Sequence, residues 1–201
     1  MVGNPLRLLP KGAATYTPKD RADIEALNAA AGGHVKLKVA KEDIQRERRL
    51  LPGELERIER VLAGELRPDR ERTIKLDDAP AVHAMFLLIL CTGLRLRETY
   101  TLRRGQFSLA KRVIRARASK QWHGKVKYRE VPIRPELFGV MEAYLQGLPD
   151  EGEQQLVFPW WSGDEHAQEL ARVSSRLSNR FASLFDYAQC EGLTEHDLRH
   201  E

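Results

Sequence analysis

From Ala79 to Thr92 the chain reads APAVHAMFLLILCT, and a helix built from it is apolar on nearly every side. Such a helix either crosses a membrane or lies inside a core. The apolar run from Ala79 to Cys91 contains Pro80 and His83 and is too short to span a bilayer, so burial in a core is the expectation. The signals at its ends agree with a buried helix. Asp78 and Pro80 open it, and Gly93 supplies the residue that leaves a helix at least cost. With 201 residues, the chain can form one full core with a small appendage.

Around this helix the hydrophobic period changes twice. Glu54 to about Glu65 has helical spacing, with Leu55, Ile58, Val61 and Leu62 on one face. A short helix is expected from Arg95 to about Leu102. Three short strands follow at Gln106–Ser108, Arg112–Ala118 and Tyr128–Ile133. The segment 119–127 between the last two reads as a basic hairpin containing Gly124. Pro135 opens a helix to about Gln146, and Leu156 to Phe158 is a short extended piece. Glu169 to Gln189 is a long amphipathic helix with Leu170, Val173, Leu177, Phe181, Leu184, Phe185 and Ala188 in its core stripe. Helices around a small three-stranded antiparallel sheet make an α+β fold, mainly helical. Residues 1–48 stand apart, with a short helix from Asp20 to Ala31, an alternating strand from His34 to Ala40 and no catalytic signal. The expected division is therefore 1–48, a segment or linker of unknown role, and 49–201, the main domain.

Charge narrows the class of partner. The formal net charge is only +4, but the window Arg95–Arg134 holds thirteen Lys or Arg against Glu98 and Glu130, a local +11 that leaves −7 for the remainder. A local patch of that kind suits a polyanion. The competing reading is a solvated strand surface with excess cations. The N-terminus has no basic segment followed by an apolar one, so no signal peptide is read there. Cys91 and Cys190 are too far apart for a metal or redox motif, and Cys91 reads as a packed thiol. The expectation is a reduced, cytoplasmic protein without a membrane segment.

Two short stretches carry chemistry. In Thr194-Glu195-His196-Asp197-Leu198-Arg199-His200, a helical turn puts His196 and Arg199 on one face, with Thr194 placed to cap it. A proton-transfer group beside a planar, permanent cation suits phosphate chemistry. In Thr92-Gly93-Leu94-Arg95-Leu96-Arg97-Glu98, Arg95 stands at the start of a helix, where the helix N-terminus adds partial positive charge, and Glu98 can brace a guanidinium. Two guanidiniums on one phosphate stabilise a pentacoordinate transition state without metal. Lys120, Lys125 and Lys127 crowd the hairpin beside Trp122, with Arg129 just beyond. A lysine at a hairpin tip can protonate a leaving oxygen, or simply touch phosphate. His196 and His200 also have the i, i+4 spacing of a metal pair, but no glutamate follows the first histidine, and metal is not the preferred reading.

Together these stretches resemble the catalytic domain of the tyrosine recombinase (phage integrase) family. "CTGLRLRETYTLRRGQF" is similar to its first arginine motif, with Arg95 as the catalytic arginine and Glu98 as its supporting acid. "ASKQWHGKVKYREVPI" is similar to the hairpin that carries the catalytic lysine. "GLTEHDLRH" is similar to the His-x-x-Arg motif, with His196 and Arg199 in its two roles and His200 supporting. The resemblance implies transesterification at a DNA phosphodiester with neither metal nor nucleotide cofactor. Arg95 and Arg199 would clamp the scissile phosphate, Lys120 would protonate the leaving 5′ oxygen, and His196 would assist proton transfer. Trp122, Lys125, Lys127 and Arg129 would contact DNA. The implied partner is double-stranded DNA, on which the family's protomers assemble as a homotetramer. The implied setting is a bacterial or phage-encoded mobile element.

Three departures from the pattern shape the expectation. The hairpin is long, so Lys125 or Lys127 can stand in place of Lys120. The helical DNA-clamping domain that normally comes first is missing, and "GNPLRLL" resembles the junction where it would end. None of Tyr16, Tyr100, Tyr128, Tyr144 and Tyr187 follows His196, so none matches the family's nucleophile, and the chain is expected to be a truncated domain unable to cleave DNA alone. The alternatives are a DNA-binding remnant or regulator without catalysis, and a metal-dependent hydrolase using His196 and His200.

Overall fold

The computed structural model describes residues 18–30, 48–118 and 127–200. It divides into two compact units, 1–46 and 47–201. In the first, the described element is α1, Pro18–Ala30, entered through Pro18. The expected strand at 34–40 lies outside the described residues.

The second unit is α+β and mainly helical. Its elements in order are α2 (Glu54–Leu62), α3 (Ala79–Thr92), α4 (Leu96–Tyr100), β1 (Phe107–Ser108), β2 (Val113–Arg117), β3 (Tyr128–Pro132), α5 (Pro135–Gly147) and α6 (Ala167–Tyr187), with a closing 3-10 turn at Asp197–His200. α3 is the central helix. It packs against α2, α4, α5 and the closing turn, and buries Ala81, Val82 and every residue from Ala84 to Ile89. At its end Gly93 takes φ +63 and returns its N–H to the Ile89 carbonyl, a left-handed stop that other residues adopt at a cost.

α6 covers α2 and α4 with its apolar stripe, and Val173, Leu177, Phe181, Leu184 and Phe185 are all buried at helical spacing. It starts at Ala167, two residues earlier than the sequence suggests, with the His166 carbonyl accepting the Leu170 N–H at 3.0 Å. Phe185 joins α6 to α3 by an edge-on contact with Phe86, ring centroids 6.4 Å apart. Tyr100 ties α4 to α6 through a hydroxyl that donates to the Leu170 carbonyl at 3.0 Å. Truncating Phe86, which is fully buried, should therefore cost about 3–5 kcal/mol. Urea unfolding should show the midpoint of Phe86→Ala falling with the slope unchanged.

The sheet runs in the order β1-β2-β3, antiparallel throughout. On β2, burial alternates: Ile114 and Ala116 face the core, while Val113, Arg115 and Arg117 face away. The register pairs Ala116 with Arg129 and Arg117 with Tyr128, so Arg129 shares the core-side face and Tyr128 the outer one. The run between α4 and β1 is held by the loop before Leu156. Arg104 N donates to the Gln155 carbonyl at 2.8 Å and Gly105 N to the Glu153 carbonyl at 2.9 Å. A Cβ on Gly105 would meet that of Glu153 at 2.7 Å, so only glycine lets the two backbones approach this closely.

Candidate phosphate site

The α3–α4 turn brings together Arg95, Glu98, Arg129, His196 and Arg199 of the predicted site. Arg95 is the extended N-cap of α4, and its backbone N–H donates to Glu98 Oε2 at 3.1 Å. Its guanidinium reaches the other carboxylate oxygen, Nη1 to Oε1 3.1 Å. Glu98 is almost wholly buried, with 1% of its side chain exposed, whereas 41% of the Arg95 side chain is exposed. A buried carboxylate thus holds an accessible cation in place. The expected charge from the helix N-terminus is small here, because α4 has five residues and Glu98 takes the N-cap N–H.

A second guanidinium shares this acid. Arg129 Nη2 donates to Glu98 Oε2 at 2.8 Å, and its side chain is 45% exposed. The sequence reading placed Arg129 against DNA and did not connect it to Glu98. The pairing crosses from β3 to α4 through the sheet register, which no local spacing encodes.

Arg199 arrives from the far end of the unit. Its Nε donates to the Gly93 carbonyl at 3.0 Å, and its Nη1 lies 3.3 Å from His196 Nε2. Arginine only donates, so this contact is a hydrogen bond when Nε2 is unprotonated. The two residues share a face as expected, though on a 3-10 turn, where positions three apart eclipse. Of the expected capping box, the half in which the acid reaches back to the Thr194 N–H is the one formed. The fully buried Asp197 accepts from both the Thr194 N–H, at 2.8 Å, and the Thr194 hydroxyl, at 2.7 Å. Leu198, also fully buried, pins the turn against the core. Burial, then the positive charges of Arg95 and Arg129, pull the Arg199 pKa below its usual value, partly offset by Glu98. Two guanidiniums thus share one carboxylate, and a third is held beside them at the Gly93 carbonyl, an arrangement suited to an oxyanion.

Lys120, Trp122 and Lys125 lie outside the described residues, as does the side chain of His200. Lys127 is described and exposed at the base of the hairpin, where its carbonyl accepts the Ala118 N–H at 2.8 Å. Among the described residues, no group of three or more His, Cys, Asp or Glu could hold a metal ion. No described helix is long and apolar enough to cross a membrane. Cys91 is half-buried rather than fully packed, and burial raises its thiol pKa.

No protein-family model matches the chain, and no curated protein matches it in sequence. Solved structures do match in shape. XerA recombinase is similar over 92% of this chain and 60% of its own, at TM-score 0.52 and 16% identity. The Tn1549 transposon integrase, in complex with a circular intermediate DNA, is similar over 97% of this chain and 68% of its own, at TM-score 0.54 and 14% identity. The chain has the tyrosine recombinase fold. XerH site-specific recombinase, bound to its difH substrate before cleavage, has that fold as well, with a TM-score of 0.52 at 16% identity over 97% of this chain. The chain spans 54% of XerH, so it corresponds to part of these longer proteins.

Proposed function

We propose that the chain is the catalytic domain of a tyrosine-type site-specific DNA recombinase, and that the α3–α4 turn binds the scissile phosphate. The observation that carries this reading is the pair of guanidiniums, Arg95 and Arg129, on the buried Glu98, with Arg199 held at the neighbouring Gly93 carbonyl and His196 against Arg199. Arg95 and Arg199 clamp the non-bridging oxygens, and Arg129 reinforces Glu98. His196 exchanges a proton with a phosphate oxygen, and a hairpin lysine, Lys120 or else Lys125 or Lys127, protonates the leaving 5′ oxygen. The reaction is exchange of one phosphodiester for another. Double-stranded DNA is the substrate, and assembly as a homotetramer on DNA belongs to the same proposal.

The described tyrosines are occupied elsewhere in this reading. Tyr100 and Tyr187 are buried and donate to the Leu170 and Arg72 carbonyls. Tyr144 donates to the Val157 carbonyl, and burial pushes its pKa up to about 12, which leaves little phenolate. Tyr128 is exposed but belongs to the outer face of the sheet, across from Arg129. None of these four tyrosines should therefore form a covalent adduct with a suicide DNA substrate that survives denaturation. An adduct mapped to any of these tyrosines would contradict the assignment of the site.

Duplex binding should weaken steeply with salt, by a log–log slope of about 0.9 for each phosphate neutralised. Titration of a labelled duplex across a salt series reads this slope directly. Binding that is indifferent to salt would remove DNA as the partner.

A further inference from the structure

A second cleft, of about 490 Å³, opens between α4, the outer face of the sheet and the start of α6. Arg97, Arg103, Arg115, Arg117, Tyr128 and Trp161 line it, together with the carboxylates of Glu98, Glu153 and Glu165. Its cations are not equivalent. Arg117 is neutralised by Glu165, 2.5 Å away, and Arg103 donates to the Gln154 carbonyl at 2.6 Å. Arg97 and Arg115 are exposed and make no ion pair with any described residue. The Arg115 guanidinium instead lies 4.8 Å from the centre of the Tyr128 ring. Tyr128 is 51% exposed, so its ring is open to solvent.

We infer that this cleft is a binding site for single-stranded DNA, with an unpaired base stacked on Tyr128 and the adjoining phosphates on Arg97 and Arg115. Two unpaired guanidiniums beside an open aromatic face supply the two elements such sites combine, charge along the backbone and a π surface for the base. Arg115 behind the ring strengthens it as a platform, since the guanidinium draws on the face opposite the base. The volume favours an extruded nucleotide over a duplex, being that of a small-molecule pocket. The Arg117–Glu165 ion pair removes one of the cleft's cations, Arg103 keeps its charge while held by the Gln154 carbonyl, and Glu153 offsets part of the remainder. The cleft meets the phosphate site at Glu98, which lines both, and the inference rests on the recombinase reading in taking DNA as the polymer. In that setting it would receive a strand that has left its duplex.

Fluorescence anisotropy with a labelled thymidine oligonucleotide of about 10 nucleotides, within the usual range for such sites, tests the inference against a blunt duplex of similar length. Tyr128→Ala should weaken oligonucleotide binding by about ten-fold, with less than about two-fold effect on the duplex, and Tyr128→Phe should retain the affinity. Arg97→Ala with Arg115→Ala should lower the oligonucleotide's salt slope by about 1.4, two contacts at ~0.7 each. Photocrosslinking a 5-iodouracil oligonucleotide to the unaltered chain should label the peptide that contains Tyr128. Equal losses on oligonucleotide and duplex would assign the cleft to duplex backbone, and no loss on either, or crosslinks confined to the His196–Arg199 turn, would leave it without a ligand. Each of those results overturns the proposal. Arg199→Ala separates the two readings, because it removes one arm of the phosphate clamp, and Arg199 lies outside the cleft lining, bonded to Gly93 and His196, which do not line it either.

Discussion

Arg95→Ala and Arg199→Ala should each lower affinity for a vanadate-bridged nick by about 10²–10³-fold, and for intact duplex by less than about ten-fold. Vanadate between a 3′ and a 5′ hydroxyl adopts the five-coordinate geometry of a phosphoryl transition state. Groups aimed at that geometry gain most there, and general backbone contacts gain nothing. Both side chains have the means to be aimed. Arg95 is held by Glu98 at 3.1 Å, and Arg199 by the Gly93 carbonyl at 3.0 Å. Arg199→Lys should recover only part of the loss, because an ammonium keeps the charge without the fork that fits two oxygens. Competition binding on the two DNAs reads the difference. Equal losses on both would make these arginines ordinary backbone contacts.

Glu98→Ala should be the most damaging single change to the stability of the site, destabilising the protein by about 2–4 kcal/mol. The carboxylate accepts from the Arg95 backbone, the Arg95 guanidinium and Arg129, and all three bonds vanish together. The value falls short of a fully buried ion-pair loss because the side chains of Arg95 and Arg129 are 41% and 45% exposed and regain water. The same substitution should lower affinity for the vanadate-bridged nick as strongly as Arg95→Ala, since Arg95 loses its brace. Glu98→Gln, with the shape kept and the charge removed, should fall between. Urea unfolding with the competition assay checks both effects, and an alanine variant as stable as the parent would contradict them.

The helices were legible because their signals are local. The all-apolar α3 closed by Gly93 and the stripe of α6 follow from spacing alone. Of the site, the Arg95–Glu98 and His196–Arg199 pairs were legible for the same reason, each being three residues apart. Arg129 on Glu98 spans 31 residues and depends on which face of β3 turns inward, and Arg199 on the Gly93 carbonyl spans 106. A carbonyl acceptor leaves no trace in residue type. The full burial of Asp197, which anchors its turn through Thr194, leaves no mark in the spacing. The arginine cleft was hidden within the same basic window, where spacing does not separate Arg97 and Arg115 from the paired Arg117.

The account rests most heavily on the claim that Arg95, Arg199 and His196 converge on one phosphate. A crystal structure of the chain on a duplex with a phosphate-free nick and orthovanadate tests it directly. The expected result is a trigonal-bipyramidal vanadium bridging the nick at the α3–α4 turn, its equatorial oxygens about 3 Å from guanidinium nitrogens of Arg95 and Arg199 and from a ring nitrogen of His196. Vanadate bound elsewhere, or a nick seated with either guanidinium turned away from it, would contradict the account.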